Sequence, residues 1–299
     1  MTSVAPPPGQ HGGDGARLAA VLGIDPAAVL DLSASLNPLA PDPAPIVARH
    51  LDALGRYPDP ARATAALAEA MHVDPDSLLL TNGGAEAIAL VAAECGGRVE
   101  GPEFALYRRH LDRPGGRWRS NPHNPSGLLA GAGDTAAVWD EAFWPLATGT
   151  WTRGDASRGA VVLGSLTKLL ACPGLRIGYV LSADAGLIAR LGRRQPQWSL
   201  NGLAAAALPD LLATTDLPGW AKALVDLRAD LARVLRFHGF EPRPSDANWL
   251  LSEGPDLRDR LAARAICVRD CTSFGMPGVV RIAVPGEQGL SRLAEALAS

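Results

Sequence analysis

The sequence has little of what marks several classes of protein. Its 299 residues hold four cysteines, at positions 95, 172, 267 and 271. So few cysteines argue against a disulfide-stapled secreted fold and suit a reducing compartment. Cys267 and Cys271 lack the second cysteine or histidine pair that a zinc site needs, so we predict ordinary buried thiols and no metal.

Basic charge is not in excess either. The chain has 28 Lys and Arg against 31 Asp and Glu, a net charge of -3, which leaves no electrostatic footprint for nucleic acid. The sequence contains no apolar run long enough to cross a bilayer. Residues 1–10 lack the basic and apolar regions of a secretion signal. We therefore expect a cytoplasmic protein that binds neither nucleic acid nor membrane.

Hydrophobic residues are plentiful, at 47%, and can form a sizeable core. Residues 1–15 are rich in Pro and Gly and predict an N-terminal arm. Strand and helix patterns then alternate, which predicts an α/β fold with a mainly parallel sheet and helices on both faces. A long amphipathic helix over 220–237 would lead into a small α+β domain. We therefore predict a large domain over 16–216 and a small one over 217–299.

The apolar spacing predicts the individual elements. Strands are expected at 78–81, 98–101, 137–140, 160–164, 176–181, 248–251, 266–269 and 279–284. Helices are expected at 17–22, 45–54, 61–71, 85–95, 220–237, 257–263 and 290–298. Residues 111–121 predict a loop.

The most informative segment surrounds Lys168, which lies on an apolar stretch. A lysine that forms a Schiff base needs apolar surroundings, because they disfavour its ammonium form. The hydroxyls of Ser165 and Thr167 and the guanidinium of Arg176 are donors suited to a phosphate dianion. The segment indicates that Lys168 binds the aldehyde of pyridoxal phosphate. The alternative is a solvated lysine at a strand end.

Several motifs, in the expected order, resemble the fold-type I pyridoxal-phosphate enzymes of the class I/II aminotransferase superfamily. Within it the chain is similar to the branch that holds threonine-phosphate decarboxylase and histidinol-phosphate aminotransferase. Besides 165–179, the motifs are Asn-Gly-Gly-Ala-Glu at 82–86, Asn-Pro-His-Asn-Pro-Ser-Gly at 121–127 and Asp-Glu-Ala-Phe at 140–143.

The resemblance implies a set of residues that bind the cofactor. The backbone N–H groups of Gly84 and Ala85, at a helix start, would hold its phosphate. Asn124 would hydrogen-bond its phenolic oxygen, and Asp140 would keep its pyridine nitrogen protonated. Phe104 would stack on the ring, with Tyr107 as second choice.

The resemblance also implies a substrate site and a homodimer. Arg281 would bind the substrate α-carboxylate, as a planar guanidinium does well. His11 and Arg269 would meet a substrate phosphate, and Asn37 would lie near the substrate. Tyr57 would reach the cofactor phosphate of the neighbouring subunit, so each active site would need two chains.

These likenesses lead us to expect decarboxylation of L-threonine O-3-phosphate, giving the aminopropanol phosphate used in cobalamin biosynthesis. An aminotransferase acting on histidinol phosphate or a related amino acid stays open, and so does a non-catalytic binding protein of this fold. The segments 111–121 and 127–139 are much shorter than in typical relatives. We therefore expect the sheet of the large domain to be reduced.

Overall fold

The structure is a computed structural model that describes residues 5–9 and 11–298. Residues 1–4 and 10, within the predicted N-terminal arm, lie outside the described residues. Helices found in the described part are α1 (Gly15–Leu22), α2 (Ala44–Ala48), α3 (Ala61–Met71), α4 (Gly83–Cys95), α5 (Ala105–His110), α6 (Trp144–Thr148), α7 (Leu166–Leu169), α8 (Ala185–Arg194), α9 (Gly202–Leu212), α10 (Leu217–Phe237), α11 (Leu257–Ala262) and α12 (Glu287–Ala298).

The strands are shorter than the helices and form three sheets. They are β1 (Leu30–Asp31), β2 (Leu78–Asn82), β3 (Trp118–Ser120), β4 (Val138–Asp140), β5 (Val161–Ser165), β6 (Ile177–Leu181), β7 (Trp249–Glu253), β8 (Ile266–Cys267), β9 (Arg269–Asp270) and β10 (Val279–Ala283).

The central sheet has the strand order β2-β6-β5-β4-β3. The pairs β3–β4 and β4–β5 are parallel, whereas β6 is antiparallel to both of its neighbours. Four of the five strands therefore run in one direction. This confirms the predicted α/β architecture with a mainly parallel sheet.

Helices cover both faces of this sheet, as its side chains show. Along β5, Val161 and Leu163 pack in a cluster with residues of α4 and α8, whereas Val162 belongs to the main core with residues of α3 and α9. Successive side chains of a strand point to opposite faces. The continuous apolar run of β5 is what a strand buried on both faces requires.

A second, antiparallel sheet of order β7-β10-β9 lies in the C-terminal part of the chain. The short strand β1 pairs in parallel with β8, so the N-terminal segment is joined to this part. The predicted domain boundary near Leu217 stays a prediction.

Two of the expected elements are wrong, and a third is interrupted. The helix expected over 45–54 ends at Ala48, and Leu51–Gly55 forms a separate 3₁₀ helix. Residues 98–101 form no strand, because only Arg98 makes an isolated parallel bridge, to Arg117. Residues 111–121 are not all loop, because Trp118–Ser120 is strand β3, with Trp118 and Ser120 buried. The helices α5, α6, α7, α8 and α9 were not among the expected elements either. Among the described residues, no helix is both long enough and apolar enough to span a membrane.

Candidate active site

The direction of the strands gathers the predicted site at one edge of the central sheet. Because β2, β3, β4 and β5 run the same way, their carboxyl ends meet at this edge, where α/β folds bind ligands. The antiparallel strand β6 begins there, since Asn82 pairs with Ile177 and Ser165 with Gly178. This brings Arg176 beside the ends of β2 and β5.

A cavity of about 420 Å³ opens at that edge. Most of the residues predicted for the site line it: His11, Gly84, Ala85, Phe104, Asn124, Asp140, Ser165, Thr167, Lys168, Arg176 and Arg281.

Lys168 is partly buried on the short helix α7, which directly follows β5. Its Nζ donates a hydrogen bond to the Ala34 carbonyl, 3.0 Å away. Burial lowers its pKa to about 8, and the positive charges of Arg281 and Arg176 add to the effect. A substantial fraction of the amine is therefore neutral and nucleophilic near neutral pH.

An anion cradle lies at the start of α4. The helix begins without a side-chain cap, and Gly84 and Ala85 of its first turn line the cavity. Gly83 has a φ of +72°, and a Cβ on it would lie 2.5 Å from Arg176 Nη2. The first-turn N–H groups, this guanidinium and the hydroxyl of Ser165 together suit a phosphate group.

Asp140 lies at the end of β4 and is a hydrogen-bond acceptor, whereas the groups of the anion cradle are donors. Its Oδ2 accepts a hydrogen bond from the Tyr107 hydroxyl at 2.7 Å, and its Oδ1 accepts one from Ala142 N at 3.0 Å. Burial raises the pKa of Asp140, and the bond from Tyr107 opposes that rise. The Phe104 ring forms part of the same wall, edge-on to Tyr107.

Arg281 is a buried cation that fixes the orientation of Asn124. Its Nη1 donates to Asn124 Oδ1 at 2.8 Å, which leaves the amide nitrogen of Asn124 to donate elsewhere. Its guanidinium also lies over the Trp249 ring, 4.9 Å from the centroid. Among the described residues no carboxylate pairs with Arg281, and burial lowers its pKa to about 10. A buried guanidinium without a carboxylate partner is suited to binding the anionic group of a ligand.

A second positive group surrounds His11. The His11 ring lies 5.1 Å from that of Phe104, measured between centroids. Burial lowers the pKa of His11, and the charges of Arg269 and Arg109 lower it further. Arg269 is 3% exposed and donates to Ser273 Oγ at 2.9 Å.

Tyr57, Asn37 and Arg269 do not line this cavity in the single chain. Tyr57 is 75% exposed and stacks on Trp198 at 4.3 Å between centroids. Asn37 is buried, and its Nδ2 donates to the Leu169 carbonyl at 3.0 Å. Its contacts hold the Lys168 segment, so they lend no support to the predicted substrate contact, which stays a prediction.

Sequence reasoning missed Ser120 and Arg109, which line the cavity, and gave Tyr107 a different role. Ser120 was hidden in the supposed loop before β4. Arg109 lies on α5, two residues after Tyr107, which the sequence analysis had already assigned to the site. Tyr107 was held as a second ring-stacking residue, whereas the structure gives it the hydrogen bond to Asp140.

The geometry fits pyridoxal phosphate. An anion cradle, a neutralisable amine and a carboxylate lie around one cavity, with an aromatic wall between them. The start of α4 has glycines, which leave room for a phosphate. A Cβ at Gly83 would collide with Arg176, so glycine at this position keeps Arg176 at the site.

Comparisons with known proteins identify the family of this chain. The family model described as Aminotransferase class I and II matches residues 118–297. Threonine-phosphate decarboxylase of Salmonella typhimurium is 31% identical, over 96% of this chain and 95% of that protein. A histidinol-phosphate aminotransferase of Halorubrum lacusprofundi is 28% identical, over 92% of this chain and 91% of that protein. The first alignment spans 354 positions, more than the 299 residues here, so the relative has residues that this chain lacks.

Solved structures show the same fold. A histidinol-phosphate aminotransferase from Sinorhizobium meliloti, in complex with pyridoxal-5'-phosphate, has a TM-score of 0.80 at 18% identity, covering 95% of this chain and 93% of that one. L-threonine-O-3-phosphate decarboxylase from Porphyromonas gingivalis has a TM-score of 0.77 at 22% identity, covering 90% of this chain and 98% of that one.

Proposed function

We propose that this chain, which belongs to the aminotransferase class I and II family and is a pyridoxal-phosphate-dependent enzyme, decarboxylates L-threonine O-3-phosphate to aminopropanol phosphate. The observation that carries the proposal is that the cavity has two separate groups for an anion, Arg281 beside Asn124, and His11 with Arg109. The charge of Arg269, outside the cavity lining, also acts on His11. Threonine phosphate has both a carboxylate and a phosphate, whereas histidinol phosphate has no carboxylate. The likeness to threonine-phosphate decarboxylase over nearly the whole chain supports the same assignment.

In this proposal the residues of the cavity divide between cofactor and substrate. The cofactor phosphate would be held by Gly84, Ala85, Ser165, Thr167 and Arg176. Asp140 would hold the proton of the ring nitrogen, and the Asn124 amide nitrogen would donate to the phenolic oxygen. Phe104 would cover the ring. When bound, the cofactor withdraws electrons from Cα of an amine joined to it.

The chain's own groups then decide which bond of Cα breaks. Arg281 would hold the carboxylate, and His11 with Arg269 would hold the phosphate, so that the substrate is fixed at two ends. This orientation would set the carboxylate perpendicular to the ring. Carbon dioxide would leave without its bonding electrons, and Lys168 Nζ would supply the proton that replaces it at Cα. We further propose that the reaction serves cobalamin biosynthesis in the cytoplasm.

Incubation of the loaded enzyme with threonine phosphate tests the reaction. We expect release of one carbon dioxide and one aminopropanol phosphate per substrate without any 2-oxoacid, measured by trapped radiolabelled carbon dioxide. Threonine without the phosphate is the matched control substrate and should turn over at least about tenfold less efficiently, because it lacks the group that His11 and the neighbouring arginines would bind.

An aminotransferase would behave differently in the same incubation. Turnover that begins only when 2-oxoglutarate is supplied, with glutamate formed and no carbon dioxide, would reject decarboxylation in favour of amino-group transfer.

We also propose that the enzyme is a homodimer in which Tyr57 reaches the partner's site. Tyr57 and Trp198 are 75% and 57% exposed, and Leu54, three residues before Tyr57, is 70% exposed. Exposed large apolar side chains grouped in this way are typical of a protein–protein interface. A second copy of the chain is the partner that would also bring Tyr57 to a cofactor phosphate.

A charge at this surface should separate the subunits. Leu54→Glu is expected to convert a dimer into a monomer in sedimentation measurements and to weaken cofactor binding, because Tyr57 no longer reaches a neighbouring site. Val225→Glu, on an exposed apolar residue of α10, is the control and should stay dimeric. A wild-type enzyme that sediments as a fully active monomer would reject the shared site.

A further inference from the structure

Trp249 is a fully buried residue to which the proposed reaction gives no role. It begins strand β7, where it pairs with Ala283 of β10, and Leu251 of the same strand pairs with Arg281. Trp249 and Arg281 are therefore diagonal neighbours on one face of this antiparallel pair, a spacing that aromatic and long side chains can bridge. The Arg281 guanidinium accordingly lies over the indole ring, 4.9 Å from its centroid.

The indole N–H of Trp249 is bound to the loop that carries Asn124. Trp249 Nε1 donates to the carbonyl of Pro125, the residue that follows Asn124, at 2.8 Å, and this hydrogen bond is buried. The loop can approach so closely because Gly127, with a φ of +80°, has no side chain. A Cβ at Gly127 would lie 3.3 Å from Trp249 Nε1 and would collide with Ser245 Oγ.

Both contacts of the indole act on the Asn124 side chain. Arg281 Nη1 donates to Asn124 Oδ1 at 2.8 Å, so the ring face supports the group that orients the Asn124 amide. The indole N–H holds the peptide that follows Asn124, and Ser120 Oγ accepts a hydrogen bond from Asn124 N at 2.8 Å. Phe143 packs edge-on against the Trp249 ring, with 4.7 Å between the centroids, and keeps the ring in place.

We propose that Trp249 is a positioning residue, which through its N–H and its ring face holds the Asn124 amide in the orientation that donates to the phenolic oxygen of the cofactor. The inference rests on the proposed contact between Asn124 and that oxygen, and it does not depend on which substrate is used. A buried indole N–H needs an acceptor for stability alone. A test of the proposal must therefore separate positioning from stability.

Cofactor affinity of the Lys168→Ala protein provides this test without covalent capture. Trp249→Phe keeps an aromatic ring against Arg281 but removes the N–H, which leaves the buried Pro125 carbonyl unpaired. Equilibrium dialysis of the apoprotein with pyridoxal phosphate should give a Kd about three- to tenfold above that of the Lys168→Ala parent. Trp249→Leu removes the ring face as well and should raise the Kd about threefold more.

Trp118→Phe is the matched control for stability. Trp118 is also fully buried, and its Nε1 donates at 3.0 Å to the carbonyl of Gly96, at the opposite end of α4 from the anion cradle. The substitution removes the same kind of buried hydrogen bond, so both phenylalanine variants should lower the melting temperature. The cofactor Kd of Trp118→Phe should stay within about twofold of that of the parent.

A double-mutant cycle tests the path through Asn124. Asn124→Ala should itself raise the Kd, and adding Trp249→Phe to it should change the Kd by less than about twofold, because the amide to be positioned is gone. An equal effect of Trp249→Phe with and without Asn124 would overturn the proposal, and so would an equally large effect of Trp118→Phe. An Asn124→Ala protein that binds the cofactor as tightly as the parent would reject the contact with the phenolic oxygen, and the inference with it. Failure of threonine phosphate to react would leave this binding test unaffected.

A measurement on the unsubstituted tryptophan covers the case in which the variants do not fold, as judged by near-UV circular dichroism. The indole N–H signals of Trp249 and Trp118 are assigned by nuclear magnetic resonance in isotopically labelled Lys168→Ala protein and followed as pyridoxal phosphate is added. Solvent exchange of the Trp249 N–H should slow at least about threefold, because the bound cofactor fixes the Asn124 loop, and that of Trp118 should stay unchanged. Equal changes at the two tryptophans, or none at Trp249, would contradict the proposal.

Discussion

Lys168→Ala is expected to lower turnover by at least about 10³-fold, because the variant loses both the amine that captures the cofactor and the proton donor near Cα. Burial has already lowered the pKa of Lys168 to about 8, so the wild-type amine reacts readily near neutral pH. The rate of cofactor capture by apoprotein should therefore rise as the pH increases to about 8 and then level off. Absorbance of bound cofactor in the visible range measures it.

The second lysine of the sequence is the control. Lys222 lies exposed on α10, and Lys222→Ala should leave capture and turnover unchanged. Borohydride reduction followed by peptide mass spectrometry should place the cofactor on Lys168 in wild type. A cofactor found on Lys222, or an active Lys168→Ala enzyme, would reject the assignment.

Loss of folding would not explain the effect of Lys168→Ala. The folded state binds fewer protons than the unfolded state between a pKa of about 8 and the ordinary value of 10.5, so burying this amine costs stability, most fully below pH 8. Removing the amine should leave the melting temperature at pH 7 unchanged or raise it.

Asp140→Asn is expected to have the second largest effect, a loss of about 10²- to 10⁴-fold in turnover with weaker cofactor binding. Both oxygens of Asp140 accept hydrogen bonds, from Tyr107 and from Ala142 N. Asparagine keeps the shape, removes the negative charge and can accept with one oxygen alone. Equilibrium dialysis of the cofactor and steady-state rates measure the two effects.

The acid side of the pH profile provides a second test of Asp140. Because burial raises its pKa, Asp140 takes up a proton at higher pH than an ordinary aspartate, so cofactor affinity should fall earlier on acidification. This decline should be absent in Asp140→Asn. Asp134→Asn, which breaks an exposed ion pair with Arg119, is the control and should change turnover less than about threefold. Equal losses in both variants would argue against a charge effect at the ring nitrogen.

The local patterns predicted the site best where a buried strand is followed directly by a functional residue or a helix start. The run over 160–164 is apolar throughout because β5 is buried on both faces. Lys168 follows just after the carboxyl end of this strand, where α/β folds bind ligands. The Asn-Gly-Gly motif combines a strand end with a helix start, so it predicted the anion cradle.

Other elements could not be predicted because their signals are weak. Trp118–Ser120 is three residues long and becomes a strand by pairing with β4, a partner some twenty residues away in sequence. Residues 98–101 look like a strand but make a single bridge, because pairing depends on available neighbours as well as on β propensity.

The sequence by itself determined the alternating α/β order, and it pointed to the candidate lysine and to most of the residues that line the cavity around it, because apolar periodicity and motif spacing depend on nearby positions. Only the tertiary structure decided that Arg281 holds Asn124, that Tyr107 supports Asp140 and that Ser120 accepts a hydrogen bond from Asn124 N. These contacts link residues from separate strands and loops, and hydrogen bonds between them depend on strand register and burial, which no local pattern specifies.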